Sequence, residues 1–381
     1  MTALPVGGEK QRGSTRSAPL DGIRALAVVA VVAFHAHYPW AVGGYVGVDV
    51  FFVLSGYLIT GVLLSTHRSW WGYRQFLVRR AVRLVPALVV ATCGAATVAV
   101  LTEVPAPVGR CSAVSLGYVM NLPFAESLDC TALWHITWSL AAEQQFYVVW
   151  PLVLAALALL LRRARSGRGG RGRGLALAAG FCALAYGAGA LWQLALRSAG
   201  EDTARVDFSP DGRSLVLLVG CGLALLVAAR RARRRPRTLR RADGVAVLSL
   251  LALGWCITTG DLTAAPWGLV PLLVSGVATA GLIWALVHAP ATSRVARALG
   301  AGPVAWLGRV SYSLYLWHEI AYRLVEQVGP RGSLSAELLR FPLALSLAAA
   351  SYYGVELPAQ RWWQRRTEEP EPAVERERVS A

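Results

Sequence analysis

The stretch Leu20–Tyr57, LDGIRALAVVAVVAFHAHYPWAVGGYVGVDVFFVLSGY, consists of two apolar runs joined by a short turn at Pro39–Gly44, and the first run carries Arg24 and His35. Eleven residues make three helical turns, so both side chains lie on one face of a helix. Their axial separation is roughly 16 Å, more than half of a hydrocarbon core about 30 Å thick. Polar groups at such depth are costly, and they face bundle interiors or wet cavities. The segment therefore predicts a membrane helix with a functional face. A snorkelling arginine and a satisfied core histidine are the ordinary alternative.

The rest of the chain supports that reading. Apolar residues make up 55% of the 381 and charged ones only 16%, against about a quarter in soluble domains. Mean hydropathy is +0.46. The net charge of +16 sits in short runs between long apolar segments, a distribution that fits membrane topology rather than a nucleic-acid groove. All but one of the 38 cationic side chains are arginine, which reads as genome bias.

Ten apolar runs approach spanning length: 22–38, 46–65, 84–103, 136–160, 175–195, 214–229, 243–259, 266–287, 304–327 and 336–355. The connections at 66–83, 161–174, 230–241 and 288–303 hold 21 arginines, whereas the five alternate connections hold 5. The positive-inside rule then places the Arg-rich connections and both termini in the cytoplasm. The expected fold is an all-α, polytopic membrane helix bundle of about ten spans, multi-pass in the cell membrane. Residues 1–19 and 364–381 are expected to be disordered cytoplasmic ends around a membrane domain at 20–363. Gly167–Gly174 is expected to be a flexible basic loop, and no cleavable leader precedes the first span. Cys111 and Cys130 share the longest outer connection, where a disulfide and two free thiols are both open. No Cys/His spacing suggests a metal.

Several runs in this chain together resemble the membrane-bound acyltransferase 3 family. They are Arg24 with His35, Asp49-Val-Phe51-Phe52-Val-Leu54-Ser55-Gly56-Tyr57, Arg80-Ala-Val-Arg83-Leu84-Val-Pro86 and Trp138-Ser139-Leu140-Ala-Ala-Glu143-Gln-Gln-Phe146-Tyr147. Gly308-Arg309-Val-Ser311-Tyr312-Ser-Leu-Tyr315-Leu-Trp-His318 and Glu356-x-Pro358 complete the pattern. The likeness runs from about residue 20 to 363, with the elements in the family's order. Gln144-Gln145 departs from relatives that keep a second acidic residue there. The resemblance implies an O-acyltransferase that moves a short acyl group, acetyl by default, from acyl-CoA to a hydroxyl. The acceptor is a carbohydrate of the envelope, a lipid-linked molecule or a small secondary metabolite. An appended esterase-like domain, found in some relatives, is not expected. The bilayer is the other partner, with no nucleic acid and no metal. A transporter or flippase of a polar or lipid-linked substrate is the alternative, weakened by the lack of an internal repeat.

Such chemistry needs a base for the hydroxyl proton, positive charge for the donor and donors for an oxyanion. His35 is the candidate base, or a nucleophile forming an acyl-imidazole; sequence does not separate the two. His37 points to a different face. Glu143 is the candidate carboxylate to orient the imidazole, with pairing to another intramembrane cation as the alternative. Arg80 and Arg83, one face of a helix at the cytoplasmic end of the third span, suit the phosphates of the donor, together with Arg24. Ordinary topology explains arginines there equally well. Asp49, Ser55, Tyr57, Trp138, Ser139, Tyr312, Tyr315 and His318 are candidates for contacts to the acceptor. Ser55 could instead serve capping or interhelical bonding, and Tyr312, Tyr315 and His318 interhelical bonds. Phe51 and Phe52 read as packing residues and Gly56 as a site of close helix approach.

Overall fold

A computed structural model describes residues 18–367 except 66–69, 123–124, 126, 163–169, 233–240, 262–267 and 330–332. Among the described residues the chain is helical, with no strand. Ten helices of 16 residues or more dominate: α1 (Ala18–His35), α2 (Gly47–Ser65), α3 (Trp70–Leu101), α6 (Trp138–Leu160) and α7 (Gly170–Ser198), then α9 (Leu217–Ala232), α10 (Ala242–Thr259), α11 (Leu269–Val287), α13 (Gly302–Val325) and α14 (Leu334–Ser351). Short helices α4 (Val108–Leu116), α5 (Ala132–His135), α8 (Thr203–Phe208) and α12 (Arg294–Leu299) lie in the connections. A π-helical turn, Tyr352–Glu356, joins α14 to α15 (Leu357–Thr367).

Among the described residues, nine segments are long and apolar enough to cross a bilayer. The tenth expected span, α13, is not one of them, although its 24 residues reach about 36 Å. Its mean hydropathy is held down by Arg309, Ser311, Tyr312, Ser313, Tyr315, His318, Glu319 and Arg323. A helix with so many polar groups is stable in a bilayer only if other helices shield it. Accordingly α1 lies along one side of it and α14 along another, and Ser311, Ser313, Tyr315 and His318 are buried.

Close helix approach holds the remainder together. Apolar side chains gain nothing by leaving lipid for a protein core, so membrane helices associate through tight packing and internal polar bonds. α2 and α9 cross at Gly56 and Gly220, where a Cβ would fall 2.1 Å from Leu217 O and 1.9 Å from Val53 O. α13 meets α1 at Gly308, where a Cβ would lie 1.8 Å from Asp21 O. The expected role of Gly56 is the one it plays.

Some boundaries differ from the sequence reading. α3 begins at Trp70, not residue 84, so Arg80 and Arg83 lie inside a helix instead of at its end. Their charge is tolerated there because partners inside the bundle meet it. α7 starts at Gly170, which makes Gly170–Gly174 helical, and Gly170, Gly172 and Gly174 are buried. The rest of that basic loop lies outside the described residues, as do 1–17 and 368–381; α15 continues through Thr367, past the expected boundary at 363.

Cys111 and Cys130 are joined in a disulfide, which ties α4 to the chain ahead of α5. This bond lies in the connection opposite the Arg-rich ones, consistent with an oxidising exterior. Gly220→Leu or Gly308→Leu has no room for its side chain. Each is expected to cost about 3 kcal/mol or more, seen as a lowered Tm of detergent-purified protein, whereas Gly61→Ala, with open space around it, leaves Tm unchanged.

Candidate active site

Two helices bring the three arginines to one place. α1 carries Arg24, α3 carries Arg80 and Arg83, and all three border one open cavity. Its wall also includes Ser55 of α2, Ser139 and Glu143 of α6, and Ser311, Tyr312 and Tyr315 of α13. Phe51 and Phe52, read as packing residues, border it as well. The charged groups of the wall are three cations and one anion. Such a cavity, walled by apolar side chains, attracts an anionic ligand strongly, because low dielectric weakens screening.

Glu143 is the hub of the wall. Arg80 Nη2 lies 3.0 Å from its Oε1, and Ser55 Oγ and Tyr147 OH donate to the same oxygen. The Arg80 guanidinium also stacks over the Tyr147 ring, 4.0 Å from the centroid. This arrangement corrects the expected pairing of Glu143 with His35. Both α1 and α13 start on the same side, and Glu143 shares its cavity with Arg24, near the start of α1, while His35 ends that helix. Unscreened Arg80 outcompetes a neutral imidazole for the carboxylate. Arg80 is therefore committed to an internal partner, which differs from the phosphate grip expected of it. Arg24 lies 3.1 Å from Asp21 one turn below it.

His35 meets a different group. Its Nδ1 donates to Val31 O at 2.9 Å, and its ring lies 4.9 Å from that of His318, centroid to centroid. His318 Nδ1 in turn donates to Tyr315 O at 2.7 Å. Tyr315 OH lies 2.8 Å from Ser139 Oγ and donates to Ile136 O at 2.7 Å. Tyr322 OH donates to Val32 O at 2.8 Å. Tyr315 thus belongs both to the arginine-lined cavity and to the group around the imidazoles. Arg24 and His35 keep the shared helical face that their spacing predicted.

Three candidates are placed away from the cavity. Asp49, expected to contact an acceptor, is fully buried against Arg213, with Nε at 2.7 Å from Oδ1 and Nη2 at 3.2 Å from Oδ2; Ser275 Oγ adds a bond at 3.2 Å. Arg213 also donates to Tyr45 O at 2.6 Å. A buried carboxylate requires such a partner, and here the partner lies 164 residues away. Trp138 is buried against Phe52, Phe208 and the Arg213 guanidinium, so it braces the ion pair instead of touching the cavity. Tyr57 packs half-buried against the core and does not border the cavity. Tyr312 does border it, and its hydroxyl donates to Leu84 O at 2.9 Å.

Sequence reasoning gave no role to Arg213, Tyr147, Ser311 or Glu319, although Tyr147 and Ser311 stand within the resembled runs. Tyr147 was the accessible one, since i,i+4 spacing from Glu143 places it on the same face of α6. Gln145, the departure from the resembled pattern, forms a reciprocal amide pair with Asn121, at 2.8 and 3.0 Å, and donates to Tyr118 O at 3.0 Å. It fastens the connection after α4 to α6. A second cavity, between α1, α2, α10 and α11, is lined by apolar side chains and offers no acid, base or charge.

A helical membrane bundle with a cationic internal cavity and an imidazole beyond it defines the class. The acyltransferase domain model matches residues 18–355, and the chain belongs to the acyltransferase 3 family. It is 32% identical over 360 residues to a putative peptidoglycan O-acetyltransferase of Bacillus subtilis, covering 89% of this chain and 54% of that protein. It is 29% identical over 363 residues to a peptidoglycan O-acetyltransferase of Listeria monocytogenes, covering 90% and 55%. A putative O-acetyltransferase of Staphylococcus aureus is 29% identical over 362 residues, covering 90% and 57%. The chain spans about half the length of these curated relatives. No solved structure matches it significantly.

Breaking the buried Asp49–Arg213 pair leaves one charge uncompensated, so Arg213→Leu is expected to lose about 3–5 kcal/mol of stability. The double change Asp49→Leu with Arg213→Leu recovers much of that loss. Thermal melts of the parent protein and the two variants check this, and a double variant no better than the single one contradicts it.

Proposed function

We propose that this protein is a membrane O-acetyltransferase that takes an acyl group from acyl-CoA on the cytoplasmic side and passes it to a hydroxyl of an envelope carbohydrate such as peptidoglycan. The observation that carries the reading is the single cavity that gathers Arg24, Arg80 and Arg83, with Tyr315 linking it to the His35–His318 pair. The relatives' names supply the acceptor class, and the chemistry of the wall supplies the donor class.

The donor is polyanionic at one end and carries its thioester at the other. Arg24 and Arg83 bind the phosphates by charge-assisted bonds, while Arg80 holds Glu143 and keeps the wall in shape. The separation of about 16 Å between Arg24 and His35 matches a long, flexible pantetheine arm reaching along α1. At the far end His35 acts as general base. A carbonyl oxygen only accepts, so the bond from Nδ1 to Val31 O fixes the Nδ1–H tautomer and leaves Nε2 as the basic atom. Nε2 takes the proton of the acceptor hydroxyl as its oxygen attacks the thioester carbon. The carbon–sulfur bond then breaks, and the proton passes to the departing thiolate, so that ester and free thiol are formed.

The test is transfer of label from radioactive acetyl-CoA to peptidoglycan fragments by purified protein in nanodiscs. His35→Ala is expected to lower kcat by at least about 10²-fold, in line with the loss of a general base. Full activity of that variant refutes the role. Arg83→Ala is expected to raise the KM for acetyl-CoA about tenfold with kcat little changed, as for a lost charge-assisted bond. An unchanged KM removes the phosphate site from Arg83.

A further inference from the structure

His318 is fully buried, and its Nε2 has no hydrogen-bond partner among the described residues. Its Nδ1 donates to Tyr315 O, so in the neutral ring Nε2 carries a bare lone pair. The same logic leaves a lone pair on Nε2 of His35. One ligating atom each of His35, His318 and Glu319 fall within 4.8 Å of one another, and Glu319 Oε1 lies 3.7 Å from His318 Nε2. Two neutral imidazoles and a carboxylate gathered in one small volume give it a negative potential. They become mutually favourable once a proton arrives on either ring.

We propose that His318 and Glu319 form a receptor for the positive charge that appears on His35 during acyl transfer. The inference rests on His35 acting as the base. When Nε2 of His35 takes the hydroxyl proton, its new N–H donates to the lone pair of His318 Nε2, and the Glu319 carboxylate supplies the opposite charge. The proton stays on His35 until it leaves with the thiolate, so no further reactant is required. Only the charged state gains from this arrangement, and an interaction absent in the ground state lowers the barrier. His318 and Glu319 are positioning residues that act through His35. They take the place that sequence reasoning gave to Glu143.

The surroundings fit this division of labour. Tyr315 and Tyr322 flank the His318 ring at 5.7 and 5.8 Å and fix its plane. On α14, Arg340 is engaged by Glu337 at 2.7 Å and reaches Ala36 O at 3.4 Å, so that cation is balanced beside the pair. His37 is exposed, and the His135 ring packs against Phe208. Neither supplies the missing acceptor for an N–H on His35.

The experiment measures kcat and KM for acetyl-CoA separately, with peptidoglycan fragments as acceptor, in nanodisc-embedded His318→Phe, His318→Gln, Glu319→Gln and His35→Gln. His318→Phe is expected to lower kcat about 10²-fold and leave the KM for acetyl-CoA within about twofold, as for a lost electrostatic donor or acceptor. His318→Gln, whose amide oxygen restores an acceptor, is expected to recover about tenfold of that loss, and Glu319→Gln to lower kcat about tenfold. Matching Tm values across the set show that each variant folds; a His318→Phe protein that melts early is replaced in the comparison by His318→Gln against Glu319→Gln. Full activity of His318→Phe, a change confined to KM, or no advantage of Gln over Phe overturns the inference while His35→Gln remains inactive. Activity in His35→Gln overturns the underlying assignment of the base instead.

Discussion

The pairing of Arg80 with Glu143 inside an apolar bundle is the constraint on which the site depends. Either group is costly to bury alone at that depth, and each fixes the other's position through a bond of 3.0 Å. Ser55 and Tyr147 complete the carboxylate's shell, so α2, α3 and α6 are held together by one oxygen. The cavity exists because these three helices cannot collapse onto one another without expelling that group. Its cationic character follows, since Arg24 and Arg83 face the same space with no further acidic side chain on the wall.

A second buried pair stabilises the other side of the bundle. Asp49 and Arg213 join the start of α2 to the segment ahead of α9, and Ser275 brings in α11. Ion pairs of this type add little net stability over apolar substitutes, but each demands one specific partner. In a bundle whose surfaces are uniformly Ala, Val and Leu, such demands fix which helix lies beside which. The glycine crossings at Gly56, Gly220 and Gly308 do the same by shape.

Much of the architecture was readable from spacing and composition. Apolar runs located all ten long helices, α13 among them although it falls short of a strict spanning criterion, and the two cysteines of the longest outer connection are disulfide-bonded. α13 escaped the hydropathy criterion because its polar residues face other helices, a fact that composition along one segment cannot express. Arg24 and His35 were legible as a pair because both lie on one helix. Glu143 with Arg80, Asp49 with Arg213 and His35 with His318 were not, since each joins residues far apart in sequence. Local periodicity names the face of a helix; it does not name the neighbour to which that face turns. The resembled pattern identified most of the residues of the cavity, whereas Asp49 and Trp138 gather around Arg213 and Tyr57 packs against the core.

α1 and α13 run side by side in the same direction, with Gly308 pressed against the backbone of Asp21 near one end and the two imidazole rings in contact near the other. Two rods clamped at both ends behave as a ruler. The interval between Arg24 and His35 is set by helical rise alone, so it does not vary when neighbouring segments shift. Under the proposed function, such a construction measures its donor: a carrier arm much shorter than that interval leaves its thioester stranded below the imidazole, however tightly its charged head is held.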